Sequence, residues 1–364
     1  MSRFFSEKYQ NLTPYTPGEQ PQDMEYIKLN TNESPFDVPE EVVKAVEAEA
    51  RKLRLYSDPD CRELVEALAA RYEVKPSQVV VNNGSDETLN FAFMAFCDAH
   101  CGAAFPNISY GFYPVFAQIN NLPYEEIPLK EDLTIDIEDY KGLHKTIFIA
   151  NPNAPTGIAL SRARIEEIVA ANPDNVVVVD EAYVDFGGES SIPLISKYDN
   201  LLVVRTFSKS RSMAGARLGF GIGNEALIQD LNTIRYSTNP YNLNRMTLAA
   251  GVAYLKHDEI MTRNCTCIQE VRAWTMGELA GLGFEMTDSR SNFIFARSGR
   301  IDGGELYRQL KARGILVRHF DKPLISSYVR ITVGSREQMQ ALLEAIREIL
   351  SQSEKTPTSI GGKQ

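Results

Sequence analysis

A chain of 364 residues with 43% hydrophobic and 24% charged side chains has the profile of a soluble globular protein, long enough for a large domain and a smaller one. Its net charge of −10 argues against nucleic acid or an anionic membrane as partner, though not against a local basic pocket for a small anion. Five cysteines (Cys61, Cys97, Cys101, Cys265, Cys267) without paired CxxC units, and four histidines without HxxxH spacing, speak against a disulfide framework and a metal site.

The opening Met1-Ser2-Arg3-Phe4-Phe5 has no sustained apolar run, and no stretch approaches a membrane span, so a cytoplasmic protein with reduced thiols is expected. Pro39 to Leu55 and Arg62 to Tyr72 read as amphipathic helices. Val79-Val80-Val81 is a short strand that turns at Asn82-Asn83-Gly84 into a helix over Ser85 to Phe96. Lys145 to Ala150 and Asn175 to Val179 are strands of the buried type, separated by a helix over Arg162 to Ala170. Further strands follow at Leu201 to Val204 and Phe220 to Gly223. Leu243 to Leu282 is helical almost throughout, with a break near Lys256-His257-Asp258, as a stretch joining two domains would be. Strands at Asn292 to Ala296, Ile315 to Val317 and Val329 to Val333, with helices over Gly304 to Arg313 and Arg336 to Leu350, make an α+β end piece. The polar tail, Ser351 to Gln364, is expected to be disordered. Alternating strands and helices predict an α/β fold: a large domain over 31–263 with a mostly parallel central sheet sandwiched by helices, preceded by residues 1–30 and followed by a small α+β domain over 264–350.

The chemistry-bearing residues sit where these strands end. Asn83-Gly84-Ser85-Asp86-Glu87 lies between a strand and a helix, so free amides and a glycine can cradle an anion, although Ser85 and Asp86 also suit ordinary helix caps. Asp180 ends the strand Val176 to Val179, and Tyr183 follows it by three. Ligands of open α/β sheets bind at that edge; capping of a following helix is the alternative. Lys209 comes within five residues of the Leu201 to Val204 strand, in Thr206-Phe207-Ser208-Lys209-Ser210, with Arg217 eight residues on. A buried acid, a lysine amine, and a hydroxyl with an arginine are what pyridoxal 5'-phosphate requires. The acid keeps the pyridine nitrogen protonated, Lys209 condenses with the aldehyde, and Ser208 and Arg217 take the phosphate. Tyr183 can hydrogen-bond the phenolate oxygen, Asn153 in Asn151-Pro152-Asn153-Ala154-Pro155-Thr156-Gly157 can donate to the same oxygen, and Tyr110 can stack on the ring. Arg330 and Arg318 each lie in or beside a short apolar strand, where a fork of donors suits an anionic substrate.

Together these segments resemble the fold-type I, class II pyridoxal-phosphate-dependent aminotransferases, from about Asn11 to about Leu350. Gly84-Ser85-Asp86-Glu87, Tyr110, Asp180-Glu181-Ala182-Tyr183, Ser208-Lys209, Arg217, Pro240 to Asn244 and Ser291-Asn292-Phe293 fall on family motifs in order. The resemblance implies more than the spacing does. It implies an arm whose Tyr15 faces the substrate, with Asn32 (in Ile27 to Pro35), Arg318 and Arg330 also on the substrate side. It implies a homodimer with shared sites, Tyr56 reaching the cofactor phosphate of the other subunit. It further implies amino exchange between a dicarboxylate pair and an imidazole-bearing phosphate ester. An aromatic amino-acid aminotransferase and a threonine-phosphate decarboxylase would keep the same cofactor residues. Two positions depart from the family: Ala154 stands where asparagine is usual, and Leu55-Tyr56-Ser57 replaces Arg-Tyr-Pro.

Overall fold

The computed structural model describes residues 2–355. Seven strands form its main sheet, in the order Val79–Asn82, Gly219–Gly223, Leu201–Thr206, Val177–Asp180, Thr146–Ala150, Ala103–Pro106 and Tyr124–Ile127. All pairings are parallel except those of Gly219–Gly223, which runs antiparallel to both neighbours. Valine and isoleucine runs form the centre because both faces are covered by helices, and every residue of the four central strands from Gly219–Gly223 to Thr146–Ala150 is buried. At the carboxyl edge, register places Asn82 and Thr206 on either side of Gly219, and Asp180 between Val204 and Ala150. One edge of the sheet therefore gathers the residues expected to carry chemistry.

A second sheet is antiparallel, in the order Arg318–His319, Tyr328–Thr332, Phe293–Ser298 and Phe284–Met286. In it Arg318 pairs with Arg330, so both guanidiniums project from neighbouring positions. Ile27–Lys28 pairs in parallel with Ile315–Leu316, which joins the end of the arm to this smaller half. The helix Asp258–Gly281 runs without a break through residue 263, and Arg245–Leu255 precedes it.

Several boundaries differ from expectation. The first long helix is Glu40–Ala50, stopping short of Leu55, and the loop after it frees Leu53, Leu55 and Tyr56 into solvent. The last helix runs Arg336–Lys355, so residues 351–355 continue it instead of starting a disordered tail; residues 356–364 lie outside the described residues. Among the described residues, no helix is long and apolar enough to cross a membrane.

Candidate active site

The cavity at the carboxyl edge is built first by a backbone constraint. Gly84 has φ +85, a conformation open to glycine, and a Cβ there would come within 2.5 Å of Arg217 Nη2. Gly219 is equally committed, because a Cβ would sit 2.2 Å from the Ser85 amide nitrogen. The helix Ser85–Phe96 begins at this point without a side-chain cap, so its first amides face the cavity beside a guanidinium. Arg217 donates from Nη2 to Asp86 Oδ2 (3.2 Å) and from Nη1 to Ser208 Oγ (3.5 Å). Tyr110 donates to the other Asp86 oxygen at 2.6 Å. Gly84→Ala should therefore weaken cofactor affinity about 10- to 100-fold, the equivalent of about 1–3 kcal/mol of backbone strain and displacement. Equilibrium dialysis of the cofactor against variant and wild type checks this, and equal affinities would remove the cradle.

Deeper in, Asp180 is 5% exposed, and burial pushes its carboxyl up to about 7. The Ala182 amide donates to Oδ1 (3.1 Å) and Tyr113 OH to Oδ2 (3.3 Å), both favouring the charged form against that burial. A buried carboxylate so poorly solvated is suited to a cationic partner, such as a protonated ring nitrogen. Lys209 extends into the same cavity, its Nζ donating to Thr31 O at 3.4 Å and standing 5.7 Å from the centre of the Tyr183 ring. Tyr183 OH in turn accepts from Asn32 Nδ2 at 2.9 Å. Asn32 is fixed by Thr332, which exchanges hydrogen bonds with its backbone and side chain, and by Asn292, which donates to its carbonyl.

Asn153 is corrected. Its Nδ2 donates to Ile108 O (2.9 Å) and Thr156 Oγ1 (3.1 Å), and its Oδ1 accepts from Ser109 Oγ (2.8 Å). The side chain ties its loop to the Ile108–Ser109 segment, and Ala154 lines the cavity in its place. Thr31, Glu33 and Tyr113 stand in or against the site although none is among the expected site residues. Tyr113, fully buried, touches Tyr110 edge-on (5.7 Å) as well as Asp180.

An outer cavity of about 700 Å³ shares Thr31, Tyr110, Ala154, Tyr183 and Lys209 with the inner one and adds Tyr15, Asn32, Arg318 and Arg330. Arg330 donates to Asn30 O (3.1 Å), packs over Phe293 and Phe320, and keeps its Nε buried with no hydrogen-bond partner among the described residues. Burial lowers its pKa from the arginine range, and an anion would relieve both costs. Arg318 holds the arm, donating to Thr16 O and Pro17 O at 3.0 Å each. Tyr15 stacks on Phe112 (4.2 Å), and burial raises its hydroxyl pKa against the pull of Arg330 and Arg318. Tyr56 lies apart: it is 78% exposed and stacked on Tyr241 at 4.5 Å.

An anion cradle, a buried acid and a lysine amine on one sheet edge, with an arginine-lined antechamber, are those of a pyridoxal-phosphate-dependent enzyme; these residues fit that cofactor. The model of the family "Aminotransferase class I and II" matches residues 24–346, and the chain belongs to this family. Within it, the chain is 48% identical to the histidinol-phosphate aminotransferase of Brachyspira hyodysenteriae over 96% of its length and 99% of that protein. It is 45% identical to histidinol-phosphate aminotransferase 1 of Bradyrhizobium diazoefficiens, over 96% of this chain and all of that one. Among solved structures, the histidinol-phosphate aminotransferase of Sinorhizobium meliloti in complex with pyridoxal-5'-phosphate superposes with a TM-score of 0.86 at 22% identity, covering 97% of this chain and 99% of that one. That likeness shows a shared fold.

Proposed function

We propose that this chain transfers the amino group of L-histidinol phosphate to 2-oxoglutarate, giving imidazole-acetol phosphate and glutamate, a step of histidine biosynthesis. The observation that carries the reading is the full-length identity to histidinol-phosphate aminotransferases, 48% in one case. The orphaned Nε of Arg330 beside Arg318 supports it, since one substrate ends in a phosphate and the other in a carboxylate.

Pyridoxal 5'-phosphate supplies an electrophilic aldehyde carbon and an electron-accepting ring. Gly84, Ser85, Asp86, Ser208 and Arg217 hold the phosphate in this reading. Asp180 holds a proton at the ring nitrogen, Tyr183 hydrogen-bonds the ring oxygen, and Tyr110 covers a ring face. Lys209 Nζ would hold the cofactor at its aldehyde carbon and would serve as the base and acid that carries the proton between reacting carbons. Arg330, with Arg318, Tyr15 and Asn32, orients the substrate so that the carbon–hydrogen bond is the one to break.

Two copies are proposed to share each site, because Tyr56 projects outward from its own chain's cavities. The large domain is assigned to 31–263, and the arm with 264–350 to the substrate side. The enzyme is placed in the cytoplasm, with its five cysteines as free thiols.

The deciding experiment is a single turnover without acceptor. Holoenzyme mixed with L-histidinol phosphate should lose its visible cofactor absorbance, and 2-oxoglutarate should restore it. Phenylalanine or threonine phosphate reacting faster would overturn the substrate assignment while leaving the cofactor residues in place.

A further inference from the structure

Behind the cofactor pocket lies a group of charges that the chemistry above leaves unused. Glu181, Arg205 and Arg211 are all buried, and charged side chains are almost never buried without partners. Arg205 is the hub, pairing through Nη2 with Asp185 Oδ1 and standing 3.7 Å from Glu181 Oε2. The second Asp185 oxygen accepts from Ser210 Oγ at 2.6 Å. Burial opposes the Asp185 charge, but Arg205 and Arg211 outweigh it and hold the carboxyl down at about 2. The acceptor is thus ionised throughout the working range, and the Ser210 hydrogen bond is charge-assisted.

The members are placed against the catalytic residues in an orderly way. Glu181 follows Asp180, Asp185 comes two residues after Tyr183, and Ser210 follows Lys209. Between the strand end at Thr206 and the short helix at Ala214, the Lys209 segment belongs to no helix or strand. Backbone bonds brace its ends, Phe207 N–H donating to Leu218 O (2.9 Å), Met213 N–H to Phe207 O (3.1 Å) and Ser212 N–H to Lys209 O (3.3 Å), and the Ser210 side chain adds a tie from the middle of the turn into the charged group.

We propose that Ser210 and Asp185 are positioning residues for Lys209, the Ser210–Asp185 hydrogen bond, anchored by Arg205, fixing the backbone from which the amine reaches into the cavity beside Tyr183 and Thr31. This rests on the assignment of Lys209 as the reacting amine. A misplacement of about 1 Å in such a group costs on the order of 100-fold in rate. Removing the Ser210 hydroxyl leaves the Arg205–Asp185 pair intact, so no charge is stranded in the interior and the fold is spared.

The test compares wild type and Ser210→Ala holoenzyme with L-histidinol phosphate. The variant should lose about 10- to 100-fold in kcat while KM and cofactor affinity stay within about 3-fold. The pH midpoint of the bound cofactor's visible absorbance should also move. Glu33, Asp86, Tyr110, Asp180, Tyr183 and Arg217 share the inner lining with Lys209, and Tyr15, Glu126, Arg318, Lys322 and Arg330 the outer one, and all keep their charges in the variant. Ser210 carries no charge, so a moved midpoint reports a displaced amine. Ser210→Cys, which leaves no void and puts a bulkier, weaker donor at the same place, should fall between the two and serves if the alanine variant folds poorly. An unchanged kcat and midpoint, with or without a lower melting temperature, would overturn the positioning role and leave a structural one. Lys209→Ala run alongside separates the two assignments. Activity surviving it removes the reading beneath; activity lost there but untouched in the Ser210 variants removes the positioning role alone.

Discussion

Lys209→Ala is expected to lower kcat for transamination by about 10⁴-fold, the largest loss of any single substitution in this chain. A positioned proton carrier contributes about 10²- to 10⁴-fold, and in the proposed reading the same amine also holds the cofactor aldehyde. No neighbour can replace it. Lys322 is the other lysine of the cavity walls; it lies in the outer chamber and is engaged with Asn107 O at 3.2 Å. The phosphate end of the site is built from other elements, Gly84 and the helix Ser85–Phe96 with Arg217, so the variant should still bind cofactor. Equilibrium dialysis and stopped-flow absorbance separate the two effects. A variant that binds cofactor and turns over within tenfold of wild type would displace Lys209 from its role.

Both the fold and the site are legible where local chemistry and tertiary structure agree. The helices Arg62–Tyr72, Ser85–Phe96 and Arg162–Ala170 follow their apolar spacing end to end, and the valine strands follow theirs. The strands Ala103–Pro106 and Tyr124–Ile127 do not stand out. The first begins with two alanines and ends in proline; the second is an edge strand whose Glu125 and Glu126 face solvent. The helix Glu225–Thr238 also goes unmarked, although Asn224 caps it by accepting from the Ala226 amide. In the site, residues at strand ends can be read because such ends converge on one edge of a parallel sheet. Contributions made across long separations cannot: Thr31 O meets Lys209, and Tyr113 meets Asp180 across 67 residues. Asn153 misleads for the same reason. Only Thr156 is local to its turn; Ile108 and Ser109, 45 and 44 residues away, take its other hydrogen bonds, and the spacing gives no sign of them.

Asp180→Asn should separate stability from activity in opposite directions. In the cofactor-free protein, burial raises the Asp180 carboxyl to about 7, against about 3.9 for an unfolded chain. Between those values the folded state holds a proton that the unfolded state has lost. The stabilising contribution of Asp180 is therefore complete below about pH 4, falls as pH rises, and is gone above about pH 7. A rise of that size caps the difference at about 4 kcal/mol. Asparagine has no charge to desolvate, and its Oδ1 can still accept from the Ala182 amide. Urea unfolding should find the cofactor-free variant about 2–4 kcal/mol more stable than wild type at pH 8 and little different at pH 4.5. With cofactor bound the preference reverses, because a carboxylate beside a protonated ring nitrogen recovers the desolvation cost and the amide cannot. Activity should fall about 10²- to 10³-fold, the usual loss when one preorganised charge is withdrawn from a developing charge. Equal unfolding energies at both pH values would mean that Asp180 is better solvated than its burial implies. A holoenzyme variant with wild-type turnover would move the acid's role to another residue.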